Sequence, residues 1–368
     1  MVNKFALGHA SGKSAQRLAT ACADQVSGTE GSFGFVYATS PLSRAFPDII
    51  EILQRRTGIR RWVGTIGHGV CATGVEYFDQ EAIVVLTCEL EAEAFRLIPA
   101  VTDPDDIAAE TELPGPAAIG VVHADPRNPA ITAVVANLAR QCGVYLVGGL
   151  TSAETTFPQV AGSQIVDGGV SGILLGGGCL RIVVGLTQGC SPIGSLHSVS
   201  RSQGQILFSL DEQPALDVLR QEVGAPLGAD PRSWLANIHV ALPVAGSDRA
   251  DYLVRNIVGI GPEEGLIAIA DTIGPGDRVL FVRRDPDSAD RDLQRMLADL
   301  KSRATVKPKA GLYFSCLARG PNLFRHEAHE LKAIQKAFGD IPIVGFFGNG
   351  EIAHDRLYAY TGVLTLLS

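Results

Sequence analysis

Two rhythms of apolar and polar positions run along this chain. Stretches such as "GFVYATSP", "AIVVLTC", "IPIVGFF" and "TGVLTLL" are nearly continuous apolar runs of strand length, which predicts strands buried on both faces. Between them, "PDIIEILQRRTG", "ITAVVANLARQCG" and "HEAHELKAIQKAF" carry apolar residues at helical spacing, as with Leu331, Ile334 and Phe338 in the last. The order strand–loop–helix–strand–loop–strand occurs three times, and each copy places a Val-Gly pair at the same point: Val63-Gly64, Val147-Gly148 and Val344-Gly345. Two readings stand, a true repeat and the ordinary echo of an α/β chain. Both predict that three apolar strands each deliver a glycine turn to a sheet end.

Strands also fill the middle of the chain. "LRIVVGLTQGCSPIG" and "HSVSRSQGQILFSL" read as a hairpin pair, and "QPALDVLRQEVG" as a helix closed by Gly224. "NIHVALPV", "YLVRNIVGIG" and "GLIAIADTI" follow, and a "GPGD" turn leads into "RVLFVRR". With 368 residues, two domains are expected, 1–210 and 211–368. The predicted class is α/β: two domains of mixed β-sheets covered by helices, with a layered αββα sandwich as one arrangement of them.

Composition narrows the function. Apolar residues make up 46% and charged residues 19%, enough for a large interior. A net charge of −8 without a basic stripe argues against nucleic acid as a partner. The first residues lack the apolar core of a secretory signal, and no uninterrupted apolar run is long enough to span a bilayer, so a cytoplasmic protein without a membrane span is expected. The seven cysteines are scattered and form no CxxC pair, which points away from zinc and redox couples.

Candidate chemistry is sparse. "GHASGKS" has one residue too few between its glycines for a phosphate-binding P-loop, and a strand–turn–helix entry explains it. His326 and His329 lie one turn apart but lack the spacing of a zinc helix, so a solvated helix face is the simpler reading. His68, between glycines at a strand end, could meet a ligand or a non-covalently held haem, or serve only as a turn residue. Cys316 has no local group but Arg319 to activate it as a nucleophile. No enzyme constellation results, and the chain is read as a non-enzyme.

Polar groups at strand ends are better placed. Arg319 follows a buried strand, Arg255 and Asn256 interrupt an apolar run, and "GNGE" offers Asn349, Gly350 and Glu351 on bare backbone. Glu154 ends the corresponding turn of the second copy. An arginine clamping a carboxylate and a glutamate accepting from an ammonium would suit a small zwitterion such as an amino acid. The competing reading is that Arg255, Arg319 and Glu351 satisfy one another in a structural ion pair.

These residues resemble a known family. "FSCLARGPNLF", "IPIVGFFGNGEIA", "YTGVLTLL" and "YLVRNIVGI" look like the FIST C-terminal domain; "GFVYATSP", "WVGTIGHG" and "YLVGGLTSAE" look like the FIST N-terminal domain. The resemblance implies a bacterial sensory protein for a small ligand, working through a separate signalling protein such as a histidine kinase or chemoreceptor. It carries over to Arg255, Asn256, Cys316, Arg319, Gly350 and Glu351. A haem-based nitric oxide sensor, with His68 as first ligand to test, and a cysteine-dependent enzyme are the alternatives.

Overall fold

The three Val-Gly strands occupy equivalent places in three six-stranded sheets. The computed structural model describes residues 4–28, 31–107, 117–176, 178, 180–225, 230, 235, 237–244 and 251–368. In it, Phe33–Thr39 runs parallel to Trp62–Gly67, Ala117–Ala124 to Tyr145–Leu150, and Ala310–Cys316 to Ile343–Gly348. Each pair is joined through a helix, namely Phe46–Thr57, Ile131–Cys142 and His329–Phe338, because parallel neighbours need a long crossover. The strands Ala82–Glu89, Val170–Gly176 and Thr361–Leu367 close each copy on the other side, antiparallel.

Register explains the repeated glycine. Gly64 lies opposite Val36, Gly148 opposite Val122 and Gly345 opposite Tyr313. A side chain at any of the three would strike the carbonyl oxygen of its partner. The close approach of the two strands therefore demands glycine.

After each Val-Gly strand the chain leaves its own sheet. The hairpin Gly69–Ala72/Val75–Phe78 joins the third sheet beside Ile343–Gly348. Gln159–Gly162/Gln164–Val166 joins the first sheet beside Trp62–Gly67. Glu351–His354/Arg356–Tyr358 joins the second beside Tyr145–Leu150. A cyclic exchange of hairpins thus ties the three copies together. On the first sheet Ile49, Leu53 and Trp62 share one apolar cluster, and equivalent clusters form under the helices of the other two sheets. Tyr37, His123 and Phe314 sit one residue past the position facing each Val-Gly glycine, and with Phe346 they meet in a buried ring cluster. Tyr37 Oη lies 3.1 Å from His123 Nε2, and burial lowers the His123 pKa to about 3, so this imidazole stays neutral.

The chain forms two compact units, one of residues 1–187 and 293–368, the other of residues 188–292. The second is a closed barrel ordered Cys190–Gln203, Arg278–Arg284, Ile238–Pro243, Tyr252–Gly261, Leu266–Ile269 and Ile206–Leu210, whose last strand pairs with the first. Cys190–Gln203 can serve two partners because its ladders shift register at bulges. Helix Ala215–Val223 packs into the barrel core and ends at Gly224 with φ 69°. The predicted α/β class with mixed sheets is what the fold displays. One expected pairing differs. "LRIVVGLTQ" forms the edge strand Ile182–Gln188 of the third sheet, while "HSVSRSQGQILFSL" is itself a hairpin.

"GHASGKS" spans the end of strand Lys4–Ser11 and the entry to helix Ala15–Gln25, as its periodicity predicted. Among the described residues no helix is long and apolar enough to cross a membrane.

Candidate functional site

Strand Ala310–Cys316 ends in a turn that delivers Arg319 to the interior, with its backbone N–H bonded to the Cys316 carbonyl at 2.8 Å. A buried guanidinium needs a partner, and Glu330, in the first turn of helix His329–Phe338, supplies it. Glu330 Oε1 accepts from Arg319 Nη2 at 2.7 Å, from Arg319 Nε at 2.9 Å and from Tyr313 Oη at 2.6 Å. Its Oε2 accepts from Ser315 Oγ and from Gly320 N–H. Burial works against the charge on Arg319, but Glu330 outweighs it and holds the guanidinium pKa above its ordinary value. Among the described residues, Arg319 Nη1 makes one long hydrogen bond, 3.4 Å, to the Tyr360 carbonyl.

The helix was expected to begin at His326 with a solvated face. It begins at His329, after Ala328 in a left-handed conformation, and Glu330 is fully buried while His326 is exposed. The Arg319 side chain, lying 5.5 Å above the Phe324 ring, draws that acid inward.

Glu351 stands at the other side of the strand end. Gly350, with φ 149°, starts the exchanged hairpin and places the Glu351 carboxyl in the interior, 1% exposed. Oε2 accepts from Thr361 N–H at 3.1 Å and from Thr361 Oγ1 at 2.7 Å. Oε1 meets no hydrogen-bond donor of ordinary length among the described residues. Burial raises the carboxyl pKa to about 8, against the pull of Thr361, Arg319 and the Cys316 thiol, so the group is largely protonated at neutral pH. Burial first, and then Glu351, pushes the Cys316 thiol well up, away from thiolate.

Three strand-end turns interlock nearby. The Ser152 hydroxyl accepts from His68 N–H at 2.7 Å and donates to the Phe347 carbonyl at 2.5 Å. Ser152 N–H reaches the Ile66 carbonyl, and Asn349 N–H the Leu150 carbonyl. His68 is half-buried, Asn349 is exposed, and Glu154 is exposed with its N–H bonded to Ser40 Oγ. The bare "GNGE" turn is therefore the point where the chain crosses between sheets.

Of the residues singled out from sequence, Cys316, Arg319, Asn349, Gly350 and Glu351 come together at one end of the third sheet. Arg255 and Asn256 belong to the barrel unit. Arg255 Nε donates to Asp271 Oδ2 at 2.6 Å, and Asn256 faces His239 across the ladder. Sequence reasoning missed Glu330, Thr361 and Ser152. Glu330 alone left a trace, as an acid on the apolar side of a helix. Among the described residues no group of three or more His, Cys, Asp or Glu could hold a metal ion.

A model of the FIST N domain matches residues 32–213, and one of the FIST C domain matches residues 215–354. An uncharacterized protein of Mycobacterium tuberculosis is 31% identical over 218 residues, covering 55% of this chain and 55% of its own length. An uncharacterized protein of Mycobacterium bovis is 26% identical over 368 residues, 93% of this chain and 92% of its own. Human F-box only protein 22 is 36% identical over 75 residues, 20% of this chain and 18% of that protein. The chain thus spans about half the length of the first relative and nearly all of the second.

Proposed function

This chain belongs to the FIST family, whose domains are signal-transduction sensory domains, and from that premise we propose that it senses a small amine-bearing ligand, an amino acid first of all, at the Glu351 end of the third sheet. One observation carries the reading: a buried carboxyl with one oxygen that meets no hydrogen-bond donor of ordinary length among the described residues, on a glycine turn between two sheets. Such a group costs stability unless something pairs with it, and functional sites are where such costs are kept.

An ammonium group donating to Oε1 would favour the ionised carboxylate and expel its proton. Arg319 is committed to Glu330 through Nε and Nη2, and Nη1 keeps donor capacity for the ligand carboxylate. With Arg319, Glu351 and Gly350 buried, the ligand enters by a shift of the 348–351 turn, and that shift is the signal. Output then passes to a separate signalling protein, of the histidine kinase or chemoreceptor kind.

The experiment is a thermal-shift screen of amino acids and simple amines against the wild type and Glu351→Gln. At least one amino acid should stabilise the wild type and leave the variant unchanged, and the shift should grow as pH rises toward 8. No stabiliser, or equal shifts in both proteins, would refute the assignment.

A further inference from the structure

The three copies give an internal comparison. In each, two residues lead from the helix end into the Val-Gly strand, three and two positions before its valine. In the second copy these are Val144 and Tyr145, and in the third Ile341 and Pro342. Both pairs meet the hairpin exchanged into their sheet. The Tyr145 ring lies 5.3 Å from His354 at one hairpin tip, and Thr73 Oγ1 at the other donates to the Ile341 carbonyl at 2.7 Å. In the first copy the same two positions are Arg60 and Arg61, both exposed. Between them and the hairpin tip at Gly162–Ser163 lies an open groove of about 750 Å³.

We propose that this groove is an anion site taking a phosphate-bearing small molecule of nucleotide size. Arg55, Arg60 and Arg61 line one wall, and Gly162, Ser163 and Gln164 the other. Arg61 is held over the Phe95 ring at 5.6 Å, which orients its guanidinium before any ligand arrives. The one acid on the lining, Glu51, lies 3.8 Å from Arg55 in an exposed pair that a ligand can displace. Arg55 complements the helix C-terminus, but Arg60 and Arg61 lie beyond Gly58, where no helix end needs them. On a chain of net charge −8, two such arginines at positions that are uncharged in both sister copies mark a local requirement for positive charge. Guanidinium pairs match phosphate oxygens in two-point contacts, and the groove volume falls in the range of small-molecule sites.

Isothermal titration of pyrophosphate and ADP into the full chain tests this, with Arg60→Glu/Arg61→Glu as the variant; both side chains are exposed, and circular dichroism confirms its fold. Saturable binding is expected that weakens with added salt and falls at least about tenfold in the variant. Glu351→Gln should bind both probes like the wild type, which separates this site from the amine site. No saturable binding to the wild type, or equal binding to the variant, overturns the proposal. Binding of poly-glutamate without either phosphate probe also overturns it, in favour of an acidic peptide.

Discussion

Arg319 and Glu330 are joined at 2.7 and 2.9 Å with neither side chain exposed, while Glu351 is held by Thr361 instead. The buried arginine of the C-domain motif thus finds its acid on a helix eleven residues downstream, not on the glycine turn. The consequence is a division of labour: Glu330 secures the fold, and Glu351 is left with an unspent oxygen.

Breaking the pair should be costly. Arg319→Ala or Glu330→Gln is expected to lose about 3–5 kcal/mol, because each strands a buried charge or its donors. Tyr313→Phe, which removes one hydrogen bond to Glu330, should lose about 1–2 kcal/mol. Urea unfolding followed by circular dichroism measures all three, and losses in Arg319→Ala and Glu330→Gln no larger than that of Tyr313→Phe, about 1–2 kcal/mol, would show that the pair contributes little.

Stability should fall as pH rises toward 8. The Glu351 carboxyl has an ordinary pKa of 4.5 and a folded pKa of about 8, so between these values the folded state holds a proton that the unfolded state has released. Each step upward in that window therefore favours unfolding, and the loss is complete above about pH 8. Glu76, raised by burial to about 7, adds in the same direction. Urea unfolding from pH 5 to 8 should show the wild type losing on the order of a few kcal/mol more than Glu351→Gln, which keeps the opposed contributions of Glu76 and the neutral His123. A parallel decline in both proteins would count against a buried neutral carboxyl.

The glycine opposite Tyr313 should tolerate no side chain. Gly345→Ala drives a Cβ into the Tyr313 carbonyl oxygen and should cost at least about 3 kcal/mol or abolish soluble expression. Gly143→Ala meets open space at φ 60° and should cost only about 1 kcal/mol. Thermal denaturation of the two variants separates close approach from backbone conformation.

Ser152 should behave as a joint between copies. Ser152→Ala leaves His68 N–H and the Phe347 carbonyl without their shared hydroxyl, for an expected loss of about 2–3 kcal/mol. Hydrogen exchange should quicken at His68 together with its neighbours in the Gly69–Ala72 strand. Unchanged protection there would mean that water replaces the hydroxyl.

Local pattern alone determined a good deal of this protein. The apolar runs and helical spacing located the strands and helices of all three copies, because burial and backbone sterics act on near neighbours, while the Val-Gly pairs left a true repeat and an ordinary α/β echo as two readings. Tertiary structure decided which strand lies beside which. The hairpin exchange, the barrel closure through Cys190–Gln203 and the choice of Glu330 over Glu351 each depend on partners distant in the chain. A strand edge or a guanidinium in isolation accepts many partners of the same chemistry. Which one it receives follows only when the whole interior is packed and every buried polar group must be satisfied at once.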